Sequence, residues 1–134
     1  MTSVVDICQQ VFLPLSAHDI YETLLDSRRH SILTGLPCTI DRRPGGDFQV
    51  GENMISGTLI QLVPDERIVQ SWEITSYGWP PGHSSRLAIE LTPTTDGTIV
   101  SLEQTSVPAD CESFIRAGWH QYYWKPLGAM ERSA

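Results

Sequence analysis

The sequence predicts an α+β domain, a curved antiparallel sheet covered by one long C-terminal helix. Between residues 38 and 107, short β-branched and aromatic runs are separated by Pro, Gly and Asp turns, the pattern of a meander. From Asp110 to about Met130 the apolar period changes to that of a helix. A sheet with one apolar face needs a cover, and that terminal segment is the only element long enough to provide it.

The elements follow in order. "VVDICQQVFL" (4–13) suits a first strand that Pro14 ends. In "SAHDIYETLLD", Ser16 is placed to cap a short helix, with Asp19 three residues on and Ile20, Tyr21, Leu24 and Leu25 on its apolar face. "SRRHSILTG" (27–35) reads as a second short helix or helical turn closed by Gly35. "CTIDRR" leads through Pro44-Gly45-Gly46 into "DF", and the turn reading outweighs a phosphate cradle because a strand, not a helix, follows. "NMISGTLIQLV" (53–63), the turn "PDER" and "IVQSWEIT" (68–75) form a hairpin. In "SSRLAIELTP" (84–93), Leu87, Ile89 and Leu91 share one face, and "TTDG" turns the chain into "TIVSLEQTSV" (98–107). The loop "SYGWPPGHS" (76–84) carries Trp79, expected to be exposed.

The last helix holds the aromatic run "FIRAGWHQYYWKP" (114–126). Ile115, Gly118/Trp119, Tyr122, Pro126 and Ala129 form a stripe at α-helical spacing, widened by Tyr123, Leu127 and Met130. Pro126 removes a backbone donor, so a kink, or an end to the regular helix near Trp124, is expected. In α-helical phase Trp119, Tyr122 and Tyr123 face the sheet or a cavity beside Trp72, whereas Trp124 lies at the helix edge, open to solvent or a partner. Gly118 is expected where the backbone nears a strand too closely for a Cβ. Trp72 faces inward with Ile68 and Ile74, and Phe48 anchors its strand inside.

The chain has 134 residues, 40% hydrophobic and 19% charged, which bounds it to one domain spanning 1–134. Its formal charge is -7, and Lys125 is the sole lysine. Nucleic acid and membrane partners are therefore not expected. Cys8, Cys38 and Cys111 are odd in number and without C-x-x-C spacing, so three reduced, mostly buried thiols are expected. The N-terminal residues do not read as a signal peptide and no apolar run is long enough to span a bilayer, which makes the cytoplasm the expected location.

His18, His30, His83 and His120 show no metal-ligand spacing and no catalytic constellation, so neither metal, cofactor nor catalytic residue is assigned. Glu103 is opposite in parity to Leu102 and Gln104 and reads as solvated.

The chain resembles the activator of heat-shock protein 90 ATPase family, C-terminal domain type, within the Bet v 1/START-like (SRPBCC) superfamily. The resemblance rests on "RRPGGDFQV", "SGTLIQLVPDERIVQSWEI", "TDGTIVSLEQTSVP" and "RAGWHQYYWKPL", in order, from about Val11 to Leu127. It implies a helix-grip fold: two short helices after the first strand and a long C-terminal helix gripped by the sheet, often around a hydrophobic cavity. It also implies that the family's eukaryotic co-chaperones carry an additional N-terminal domain that contacts the chaperone. This chain is expected to be the helix-grip domain alone, so chaperone activation is not carried over.

Three functions stay open. The first is a non-catalytic domain that holds a hydrophobic or aromatic small molecule between sheet and helix, on Phe48, Trp72, Leu87, Ile89, Leu102, Trp119, Tyr122 and Tyr123. The second is a stress-related, co-chaperone-like domain with a protein partner, and the third a small enzyme acting on a hydrophobic substrate. A monomer or homodimer is expected. A cavity of at least ~300 Å³ would favour the first or third, and a filled interior with an exposed aromatic patch the second.

Overall fold

The computed structural model describes residues 3–130. Strand β1 (Val4–Leu13) is followed by helices α1 (Ala17–Leu25) and α2 (Ser27–Thr34). Strands β2 (Cys38–Ile40), β3 (Asp47–Val50), β4 (Ile55–Val63), β5 (Arg67–Ile74), β6 (Ser85–Pro93) and β7 (Thr98–Pro108) then follow. A single 3₁₀ turn (Ala109–Cys111) leads into the terminal helix. That helix runs as α3 (Glu112–Trp119), a π-helical turn (His120–Trp124) and α4 (Lys125–Gly128).

All strand pairs are antiparallel, and the sheet order is β1-β7-β6-β5-β4-β3-β2. Strands β2 to β7 form the expected meander. The first strand closes against the last, with Gln9 opposite Leu102. The sheet is curved, and two bulges contribute to the bend. One leaves Ile60 of β4 unpaired between Leu59 and Gln61; the other sets Asp6 of β1 against the two residues Thr105 and Ser106. At Gly57 a Cβ would meet the Ser71 carbonyl oxygen at 2.1 Å, so the β4–β5 approach demands glycine there.

The short helices are capped as their residues dictate. Ser16 Oγ accepts the Asp19 backbone N–H at 3.0 Å, and Asp26 caps α2 through the Arg29 N–H at 2.8 Å. Gly35 takes the left-handed conformation, φ 75°, that closes α2. Ile20, Tyr21, Leu24 and Leu25 of α1 are buried with the concave face of the sheet.

The terminal helix departs from α-helical phase. From the end of the 3₁₀ turn onward the buried positions are Cys111, Ile115, Trp119, Tyr123 and Leu127, a strict period of four, together with Trp124. A straight α-helix advances about 400° over four residues, so such a stripe drifts ~40° at each step. The π-turn absorbs that drift: the Lys125 N–H bonds the His120 carbonyl, five residues back, and puts one additional residue into the turn. It lies one turn ahead of Pro126, whose missing N–H interrupts the regular ladder in any case. The helix therefore does not end near Trp124; α-helical bonding stops at Trp119 and resumes from Lys125 to Gly128.

The expected phase is corrected accordingly. Trp124 is buried at 6% exposure, and its ring stacks on Trp119 with centroids 5.9 Å apart. In a five-residue turn position i+5 returns to the face of position i, where α-helical spacing would have rotated it away. Tyr122 is turned outward by the same change and is 39% exposed.

Among the described residues no helix is long and apolar enough to cross a membrane, and no cluster of His, Cys, Asp and Glu could hold a metal ion. All three cysteines are free: Cys8 exposed, Cys38 partly buried and Cys111 buried.

Candidate functional site

Two indole–glutamine clamps hold the helix in the sheet. The Trp119 Nε1–H donates to Gln104 Oε1 on β7 at 2.9 Å, and the Trp124 Nε1–H donates to Gln9 Oε1 on β1 at 2.7 Å. Gln104, fully buried, passes its own amide N–H to Ser85 Oγ at 3.0 Å, and Ser85 donates to the Trp72 carbonyl at 2.7 Å. This chain gives every buried polar atom along it a partner, as an apolar interior requires.

Trp79 is also inside, contrary to its expected exposure. Its ring meets Trp72 edge to face at 5.5 Å, and its N–H donates to the His83 carbonyl at 2.7 Å. His83 Nε2 donates in turn to the Ser106 carbonyl at 2.7 Å, which pins the loop over the sheet.

His30, which lies in a polar stretch of sequence, is buried against Tyr123. Its Nδ1 lies 2.8 Å from the Leu24 carbonyl oxygen, an acceptor only, so Nδ1 carries the hydrogen. Nε2 of the neutral ring then accepts from the Tyr123 hydroxyl at 2.8 Å. Burial holds the His30 imidazole below the ordinary histidine range, although its bond to Leu24 acts the other way. Burial likewise pushes the Tyr123 phenol up, so its proton is retained.

Two spaces remain beside this packing. The inner one, between helix and sheet, measures about 30 Å³ and is bordered by His30, Phe48, Gln70, Leu87, Ile89 and Tyr123 among others. That volume suits a single water. The second is a cleft of about 210 Å³ between the terminal helix and the ends of β3, β4 and β5. Trp72, Ile74, Val50, Met54 and Ile55 form its sheet wall; Ile115, Ala117, Gly118 and Trp119 form its helix wall. No charged side chain borders either space among the described residues.

The rim of the cleft is aromatic. Tyr77 and Phe114 stack with centroids 4.6 Å apart and are 53% and 54% exposed; Tyr122 stands nearby. Tyr77 has φ 60°, an outlier for a bulky residue, and its carbonyl accepts the Cys111 thiol at 3.2 Å. Burial raises the pKa of that thiol.

Gly118 is not held by close packing, which corrects the expectation for it. A Cβ built there meets nothing within 4 Å, because the position faces the cleft. Of the eight candidate residues, Trp72, Trp119 and Tyr123 border both spaces. Phe48, Leu87 and Ile89 border only the inner one, Tyr122 only the cleft, and buried Leu102 neither. Gly118, Tyr77 and Phe114 were not among the eight, and a loop residue stacking on a helix residue leaves no sequence signal.

Residues 14–130 match the family model described as "Activator of Hsp90 ATPase homolog 1-like protein". The chain belongs to this family. It is 28% identical over 112 residues to "Activator of 90 kDa heat shock protein ATPase homolog 1" of Homo sapiens, covering 84% of this chain and 32% of that protein. Against the "Activator of 90 kDa heat shock protein ATPase homolog" of Dictyostelium discoideum the identity is 30% over 107 residues, 78% of this chain and 27% of that one. The chain therefore spans about a third or less of the length of these relatives, 32% and 27%. An HSP90 activator from Plasmodium falciparum has the same fold, with a TM-score of 0.79 at 17% identity over 91% of each chain. So does CalU16 from Micromonospora echinospora, with a TM-score of 0.77 at 21% identity over 93% of this chain and 73% of that one. These likenesses show a helix-grip fold.

Proposed function

We propose that this member of the Hsp90-activator-like family is a non-catalytic binding domain that takes a small, uncharged hydrophobic or aromatic molecule into the cleft between helix and sheet. The observation that carries this reading is Gly118. Glycine inside a helix costs about 1 kcal/mol against alanine. Nothing in the packing demands it, since a Cβ would enter open space. With Ala117 it keeps the helix wall bare opposite Trp72 and Ile74. A dry apolar cavity of about 150 Å³ already suffices for benzene, so a cleft of about 210 Å³ has room for one or two rings. The lack of charge on the lining argues against an ionic ligand. The inner space, about 30 Å³, adds room for a water only.

Native mass spectrometry of the protein purified from its own host tests the proposal. A retained mass of a few hundred daltons, lost from Gly118→Leu, supports it. A bare protein that also ignores apolar probes contradicts it.

The rim favours a second reading. Exposed Tyr77, Phe114 and Tyr122, together with family membership, support a co-chaperone-like domain whose partner is an Hsp90-type chaperone. Three unpaired cysteines suit a reducing compartment, the cytoplasm, for either reading. Adding purified Hsp90 to the isotopically labelled chain distinguishes the two. Perturbation centred on Phe114 and weakened by Phe114→Ala favours the protein partner, whereas an unchanged spectrum removes it.

A further inference from the structure

Across the concave face, one row of paired residues runs Leu59, Gln70, Leu87, Gln104 and Ile7 on five adjacent strands. Both glutamines share their strand face with apolar residues, Gln70 lying between Ile68 and Trp72. Gln104 is used on both sides, by Trp119 and by Ser85. Half-buried Gln70 borders the inner space, and its side-chain amide forms no hydrogen bond with the described residues. Every fully buried side-chain nitrogen and oxygen among the described residues has a partner, so the Gln70 amide keeps access to a water-sized space. One water in the inner space would satisfy it.

The inner space and the cleft share Val50, Trp72, Trp119 and Tyr123 in their walls, so they lie on either side of one largely aromatic partition. Trp72 and Trp119 are a tilted aromatic pair, 6.4 Å apart at 39°, where the walls of the two spaces meet. The polar groups of His30, Trp119 and Tyr123 on the inner side are committed: both nitrogens of His30 are bonded, the Trp119 N–H goes to Gln104, and the Tyr123 hydroxyl spends its hydrogen on Nε2.

We propose that Gln70 is the polar anchor of the ligand. Its apolar ring lies in the cleft, and a carbonyl or hydroxyl on a short chain reaches the Gln70 amide past the shared wall of Val50, Trp72, Trp119 and Tyr123, whose side chains part to admit it. The inference rests on the cleft reading above and names its ligand class: a neutral arylalkyl ketone or alcohol. The amide offers both a donor and an acceptor, so either group fits. A carboxylate or ammonium does not, because no opposite charge borders the path. The arriving group takes over the hydrogen bonds of the displaced water, so anchoring is gained without orphaning the amide.

Benzylacetone and its isosteric alkene, in which CH₂ replaces the carbonyl oxygen, are the test pair, titrated by NMR into wild type, Gln70→Leu and Gln70→Met. Wild type is expected to prefer the ketone roughly 3- to 10-fold, the worth of one net hydrogen bond. Both variants should bind the alkene as well as wild type does and lose the preference. A ketone preference that survives in both variants, or is missing from wild type while the alkene still binds, overturns the anchor alone. Binding of neither compound overturns the cleft reading and the anchor together. Unchanged indole N–H signals of Trp119 and Trp124 show that the variants keep the fold.

Discussion

Trp119 donates its indole N–H to Gln104 across 2.9 Å, joining the terminal helix to β7 inside the buried layer. The bond lies in the apolar interior, where an orphaned partner is costly. Gln104→Leu should therefore lower stability by about 1–3 kcal/mol, the cost of leaving the indole N–H without an acceptor. Trp119→Ala removes the ring as well and should cost about 3–5 kcal/mol. Denaturant midpoints check both, and midpoints equal to wild type would refute the clamp.

Trp124→Ala should also be strongly destabilising, again about 3–5 kcal/mol, because the ring is packed on Trp119 and bonded to Gln9. An α-helical phase would make the same substitution nearly silent. The denaturant midpoint thus reports on the π-turn itself.

Gly118→Ala should raise stability by up to about 1 kcal/mol, since helix propensity improves and the methyl enters open space. Thermal unfolding checks this. A lower midpoint would mean that the backbone at 118 is closely packed after all.

His30 should titrate below about 6.5, the usual histidine value, in the folded protein, because burial disfavours its cation. The unfolded chain then takes up a proton at a higher pH than the folded one. Stability should fall as pH drops from about 6.5 to the folded pKa and should level off below it. NMR titration of the His30 ring gives the pKa, and urea unfolding across that window gives the slope. A folded pKa at or above 6.5 contradicts the neutral His30–Tyr123 bond. Tyr123→Phe, which leaves Nε2 without its donor, should cost about 1–3 kcal/mol at neutral pH.

Much of the fold was legible because it depends on local chemistry. Ser16 and Gly35 mark helix ends through backbone geometry that few other residues satisfy, and Leu87, Ile89 and Leu91 alternate as a half-buried strand must. Trp119 and Tyr123 face inward as α-helical phase predicts, but Trp124 does not stay at the edge, although the signal for its burial is present. Cys111, Ile115, Trp119, Tyr123 and Leu127 repeat every four residues, a period that a straight α-helix cannot keep on one face. Gln104 likewise has the parity of its buried neighbours, yet its polarity conceals its burial until Trp119 and Ser85 are seen as its partners. Trp79, His30 and the Tyr77–Phe114 stack depend on contacts between distant segments, and no spacing along the chain encodes those. The site is therefore less legible than the fold that carries it.

The cleft is tested most directly by the four indole N–H signals during titration with naphthalene. Trp72 and Trp119 line the cleft, whereas Trp79 and Trp124 do not. Wild type should show saturable shifts at Trp72 and Trp119, with Trp124 little changed, and Gly118→Leu should abolish them while keeping its fold. Shifts that persist in Gly118→Leu, or that are equal at all four indoles, would contradict a ligand site between helix and sheet.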